Sequence, residues 1–203
     1  MIQVYKYCPS NYFASNCYIV KSGDDYLVID PSVDYNIVIK DHKEAEGHIK
    51  YILLTHAHFD HIAKINTWLD SCDKVIVGQG DGVALADSYR NCYLQFLGID
   101  DGYFGEYTEV EDGTIIPFGY DSVTVISCPG HTVGGVSYRI GGCLFTGDTV
   151  FEKGGYGRCD LPGGDIEVLE KTLFKLFSTE KDEIFYPGHG EQTTLSDTLK
   201  YFM

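Results

Sequence analysis

The chain has 203 residues, 44% hydrophobic and 22% charged, an ordinary globular balance with enough apolar material for a full core. A formal charge of −15 argues against nucleic acid as the main partner, because phosphate binding asks for a basic surface. No stretch approaches the roughly 20 apolar residues that cross a bilayer, and no basic-then-apolar export signal opens the chain. The seven cysteines are scattered without a CxxC pair, which predicts free thiols and a reducing cytoplasm. One domain over residues 1–203 is expected, with neither nucleic-acid nor membrane partners.

Short strands rich in Val, Ile and Tyr are predicted at 2–7, 17–21 and 26–30, the last two separated by the turn Ser22-Gly23-Asp24. Pro31 ends the third strand, and 35–46 fits a helix closed by Gly47. The apolar run 49–55 reads as a buried strand, 61–70 as a helix and 74–77 as a strand. Residues 80–97 read as mostly helical, and 98–113 as an acidic loop entering a hairpin at Glu111-Asp112-Gly113. Strands follow at 114–118, 123–128, 135–139 and 143–146, with Gly141-Gly142 as a tight connection. An amphipathic helix at 166–177, a last strand at 183–186 and a terminal helix at 196–202 complete the chain. Strands, then a helix, then a strand occur once in each half. The expected class is α/β: two mixed sheets packed face to face with helices outside.

The densest signal is His56-Ala57-His58-Phe59-Asp60-His61, four metal-ligand side chains in six residues at the end of a strand. Three later segments have the same form, an apolar strand ending in a Gly-containing polar cluster. They carry His131 in Cys128-Pro129-Gly130-His131, Asp148 in Thr146-Gly147-Asp148, and His189 in Pro187-Gly188-His189. Five of seven histidines fall in these clusters, leaving His42 in an expected solvated helix and His48 in the turn after it. Seven ligands exceed one tetrahedral zinc but suit two metals that share a carboxylate.

The HxHxDH run followed by His131, Asp148 and His189 resembles the metallo-β-lactamase superfamily over nearly the whole chain. Within it, Pro129–Thr132, Thr146–Phe151, Gly157–Gly164 and Tyr186–Gly190 look like the glyoxalase II-like hydrolases. The resemblance implies an αββα sandwich, one metal on His56, His58 and His131, a second on Asp60, His61 and His189, and Asp148 bridging. Zinc is the first choice, with iron or manganese also accepted by such ligands. It further implies hydrolysis of a small thioester or ester by metal-bound hydroxide, with Asp60 and Asp148 in catalytic positions and Arg158 at the substrate. Asp160 stands where that family carries an aromatic residue, so an Arg158–Asp160 ion pair shaping the loop is the alternative use of Arg158. The family's C-terminal helical domain is not expected, since the chain ends soon after His189. Two rival readings share the pattern: an iron-dependent persulfide dioxygenase and a non-catalytic metal-binding domain. A β-lactamase is disfavoured by Asp148, where those enzymes usually carry Cys or Ser.

Overall fold

In strand β2 (Cys17–Ser22), Cys17 and Ile19 belong to one apolar cluster while Tyr18 and Val20 belong to another. A strand buried on both faces needs cover on both, and that requirement generates the layers. The computed structural model describes residues 1–9, 14–178 and 182–202. One sheet holds β1 (Gln3–Tyr7), β2, β3 (Asp25–Ile29), β4 (Ile49–Leu54), β5 (Cys72–Gly78) and β6 (Thr108–Val110), side by side in chain order. Its first three strands are antiparallel and β3 to β6 run parallel.

The second sheet holds β7 (Ile115–Phe118), β8 (Asp121–Ser127), β9 (Val136–Ile140), β10 (Cys143–Gly147), β11 (Ile184–Pro187) and β12 (Thr193–Thr194), again in chain order. Only β10 and β11 pair in parallel there. A parallel pair needs a crossover, and α3 (Ile166–Phe177) supplies it. Asp165 caps this helix, accepting from the amides of Glu167 at 2.9 Å and Val168 at 3.1 Å. Its buried Leu169, Thr172, Leu173 and Leu176 keep helical spacing, and the leucines pack with Leu144 and Phe185 on the sheet's outer face. Between the sheets lie Leu27, Ile29 and Leu53 from one side and Val123, Val125, Tyr138 and Phe145 from the other. Two mixed sheets flanked by helices are the expected sandwich.

Local departures have physical causes. Helix α1 (Tyr35–Asp41) stops five residues short of the expected end, and Lys43–Ala45 form a separate 3-10 turn. His42, expected in solvent, packs its ring 4.2 Å from that of Tyr5 with φ −129° and ψ 64°, outside helical values. The helix expected at 61–70 is two 3-10 turns, Ile65–Thr67 and Leu69–Ser71. Its buried residues Ile62, Ile65 and Trp68 recur every three positions, the 3-10 period rather than the α period. The stretch 80–97 is largely turns, with one 3-10 turn at Gly82–Ala84 and α2 at Tyr93–Leu97. There the Asp87 side chain accepts from the amides of Tyr89 and Arg90, competing with helix formation. The loop expected at 98–113 contains β6, and the expected last strand is followed by β12. The terminal helix is shorter than expected, α4 (Leu195–Leu199). Gly141 and Gly142 do form the predicted tight turn, both at positive φ (56° and 87°) between the paired Ile140 and Cys143.

Candidate metal centre

The carboxyl ends of β4, β8, β10 and β11 open onto one edge of the sandwich. His56–His61 follow β4, His131 follows β8, Asp148 follows β10 and His189 follows β11. The backbone bond from the Val136 amide to the Thr55 carbonyl, 2.8 Å, ties the two sheets together at this edge. The seven ligand-type side chains singled out in the sequence therefore meet in space. Three groupings bring their donor atoms within 4.8 Å of one another: His56/His58/His131, His56/His61/Asp148, and Asp60/His61/His189. His42 and His48 lie elsewhere.

The imidazoles of His56, His58 and His131 stand edge to face, with centroids 4.6–4.7 Å apart. Partners at the far side of the rings fix which nitrogen carries the proton. A carbonyl oxygen can only accept, so His131 Nδ1 donates to the Arg158 carbonyl at 2.6 Å. His61 Nδ1 donates to the buried Asp30 carboxylate at 2.8 Å. Thr55 Oγ1 donates to Asp30 Oδ2 at 2.7 Å and so accepts from His56 Nδ1 at 3.1 Å. In the neutral ring each committed Nδ1–H leaves Nε2 as a lone pair. His56 Nε2 and His131 Nε2 then face each other at 3.2 Å, two acceptors that a shared cation would satisfy.

Asp148 lies among these rings. Its Oδ2 is 3.6 Å from both His131 Nε2 and His189 Nε2, and its Oδ1 is 3.4 Å from His61 Nε2. Asp60 Oδ2 is 3.1 Å from His189 Nε2 and 3.6 Å from His61 Nε2. The charges act on one another accordingly. Burial alone would raise the Asp148 pKa, but His189, His61 and His131 together hold it well below the usual carboxylate range. Burial opposes a proton on His61, yet the carboxylates of Asp30, Asp60 and Asp148 outweigh it and push its pKa well up. His189 is raised too, burial being overcome mainly by Asp148 and Asp60. His56 and His58 go the other way; burial, helped by neighbouring imidazoles, lowers His58 to about 3.

Two glycines make the crowding feasible. A Cβ on Gly188 would strike Asp148 Oδ1 and come within 2.7 Å of the His61 ring. A Cβ on Gly157 would sit 2.6 Å from His131 Nδ1, where the Arg158 carbonyl has to approach.

Among the described residues, His58 Nε2, His61 Nε2 and Asp148 Oδ1 are buried side-chain atoms without a hydrogen-bond partner. Each orphaned polar group costs about 1–3 kcal/mol, a large share in total of the roughly 5–15 kcal/mol by which a domain is stable. With their protons displaced, all three can act as electron-pair donors facing the same space. Imidazole nitrogens and carboxylate oxygens are the donor set that zinc, iron and manganese accept, so these residues fit divalent metal.

Several residues that build the site escaped the sequence reading. Asp30 closes β3 and orients His61 and Thr55. Asn16 Nδ2 donates to the carbonyls of Pro187 (2.9 Å) and Gly190 (3.0 Å), clamping the turn that carries His189. Asp81, also buried, accepts from the segments bearing His58 and His131. Asp30 had a legible signal, since Asp-Pro after an apolar strand repeats the form of the other clusters. Asn16 and Asp81 had none. Arg158 takes part chiefly through its carbonyl; its guanidinium forms the alternative ion pair, bidentate to Asp160 at 2.7 and 2.9 Å, and lies 5.8 Å from the Phe96 ring centre.

Clefts of about 540 Å³ and 480 Å³ flank the cluster. The first reaches it at His58 beside Val133 and Arg90, the second at Asp60 beside Phe59 and Tyr93.

The family model of the metallo-beta-lactamase superfamily matches residues 11–189. A probable metallo-hydrolase of Bacillus subtilis, YqgX, is 31% identical, covering 91% of this chain and 89% of its own. The hydroxyacylglutathione hydrolase GloC of Haemophilus influenzae is 28% identical, covering 92% and 91%. Among solved structures, the BLEG-1 B3 metallo-beta-lactamase superposes with a TM-score of 0.86 at 26% identity, covering 98% and 97%. TTHA1623 in a di-iron-bound form superposes with a TM-score of 0.81 at 28% identity, covering 98% and 100%. Strands that deliver histidines and an aspartate to one sandwich edge, and a family match spanning every one of those residues, make this chain a member of the metallo-beta-lactamase superfamily.

Proposed function

We propose that the protein is a dinuclear metallohydrolase of small thioesters, resembling the hydroxyacylglutathione hydrolases. The convergence of His58 Nε2, His61 Nε2 and Asp148 Oδ1, buried and without hydrogen bonds, carries the reading. His56, His58 and His131 would hold one metal, Asp60, His61 and His189 the other, and Asp148 would bridge them. Zinc remains the first choice; the similarity to a di-iron protein keeps iron as the alternative. When bound, such cations supply Lewis acidity, polarising a carbonyl and acidifying water.

The chain's own residues supply orientation. Asp30, Thr55 and the Arg158 carbonyl hold protons on the far nitrogens of His61, His56 and His131, so that their Nε2 atoms stay available as donors. Asp60 sits at the open side of the cluster, where its carboxylate can orient a water and take its proton. A thiolate leaves without a strong general acid. The similarity to GloC supports the thioester assignment. In this reading Asp160 pre-orients the Arg158 guanidinium toward the acidic part of a substrate. The seven free cysteines agree with a reducing cytoplasm as the place of action. No helix among the described residues is long and apolar enough to cross a membrane.

The test is hydrolysis of S-lactoylglutathione by the zinc-loaded protein, with thiol release followed over time and a chromogenic cephalosporin run in parallel. Rapid, chelator-sensitive thiol release is expected. Turnover of the cephalosporin alone would replace the thioesterase reading with a lactamase one.

A further inference from the structure

Asp81 is a buried carboxylate, 2% exposed, that lies outside the ligand set. It follows β5 and reaches across to the loop between β8 and β9. Its Oδ2 accepts from the Ala57 amide at 3.2 Å and from Thr132 Oγ1 at 2.8 Å, and its Oδ1 accepts from the Gly134 amide at 2.6 Å. Ala57 lies between His56 and His58, and Thr132 directly follows His131. One carboxylate thus grips the backbone between two imidazoles of the three-histidine group and the residue beside the third. The Thr132 and Gly134 bonds join segments from opposite sheets.

The chemistry of the three bonds explains why the residue is an aspartate. All three partners donate, two of them as backbone amides that cannot reverse their role. An asparagine in the same place would set its own NH2 against the amide of either Ala57 or Gly134. Asp81 has no ion-pair partner among the described residues, and burial raises its pKa. Its charge therefore rests on these three donors. Asp30 is the counterpart on the other side: it holds His61 at 2.8 Å.

We propose that Asp81 is a positioning residue for the His56/His58/His131 group alone, setting metal affinity there and not at Asp60/His61/His189. This rests on the metal-centre reading above. It goes beyond it by assigning the three-histidine group a buried carboxylate support of its own, beside Asp30, which holds His61 directly and His56 through Thr55.

The experiment measures zinc affinity by chelator competition in the full chain. One background carries His189→Ala, which leaves the three-histidine group intact; the other carries His131→Ala, which leaves Asp60/His61/His189 intact. Asp81→Asn is expected to weaken zinc binding about 10–100-fold in the first background and by less than about twofold in the second. Thr132→Val, which removes one donor and keeps the carboxylate, is expected to give a smaller loss in the same direction. That variant still tests the idea should Asp81→Asn fail to fold. Equal losses in both backgrounds, or no loss in the first, would overturn the assignment. Absence of zinc binding by the parent chain would instead remove the metal centre, and this role of Asp81 with it.

Discussion

The two donor groups at the sandwich edge differ in kind. His56, His58 and His131 are buried and offer only neutral nitrogen, backed by Thr55, the Arg158 carbonyl and Asp81. Asp60, His61 and His189 include a carboxylate, and the His189 side chain is 35% exposed. The first group is the more buried of the two, and the larger cleft touches it at His58. The second is open on one side and carries charge, the arrangement that leaves room for water and substrate. A centre assembled from unlike halves can retain one ion firmly while working at the other.

The sharpest way to break this contrast is to remove what the halves share. Asp148→Ala deletes the only carboxylate among the described residues that lies within 3.6 Å of His61, His131 and His189 together. Thioester hydrolysis should fall on the order of 10³-fold, with metal content dropping from two ions to one. Unchanged turnover in steady-state assays would sink the shared-carboxylate arrangement.

Acidification should separate the halves. Because the pKa values of His61 and His189 are raised, protons compete there at higher pH than at His56 and His58, whose values are lowered. Affinity at the mixed half should fall by about tenfold per pH unit for each proton displaced, once the pH is below those raised values. Metal content measured at stepwise lower pH is expected to show two releases, the Asp60/His61/His189 ion leaving first. A single joint release would contradict the contrast.

A smaller effect is expected from Gly188→Ala, which pushes a methyl group at Asp148 and His61. Overpacking of this type costs about 1–3 kcal/mol, lowering Tm by several degrees in a chain of this size. The readout is thermal unfolding of the metal-free protein. Smallest of all, Arg158→Ala should raise KM a few-fold with little change in kcat, since its guanidinium stands outside both groups. An unchanged KM would assign the Arg158–Asp160 pair to loop structure alone.

Much of the site could be read in the sequence because each ligand follows an apolar strand and sits in a short polar cluster. Strand periodicity located β3, β4, β8, β10 and β11 to within a few residues, and those strands fix where the ligands converge. What could not be read depends on contacts distant in sequence. Asp81 and Asn16 look like ordinary loop residues until the partner segment, some fifty residues away from Asp81 and farther from Asn16, is folded against them. The helices after the His cluster failed for a different reason. Ile62, Ile65 and Trp68 keep a strict three-residue spacing, which over so short a span is easily taken for the α pattern. Strand β6, three residues long, takes its conformation from pairing with β5.

The placement of the ligands on both sheets has a mechanical meaning as well as a chemical one. His56, His58, Asp60 and His61 belong to the half ending in β6, and His131, Asp148 and His189 to the half that begins with β7. An ion held by His58 and His131 would act as a rivet through both halves, so that neither could come apart without releasing it. Resistance to unfolding would then track the logarithm of free metal, gaining about 1.4 kcal/mol per tenfold above the dissociation constant. Metal supply would set the lifetime of this fold in addition to its activity.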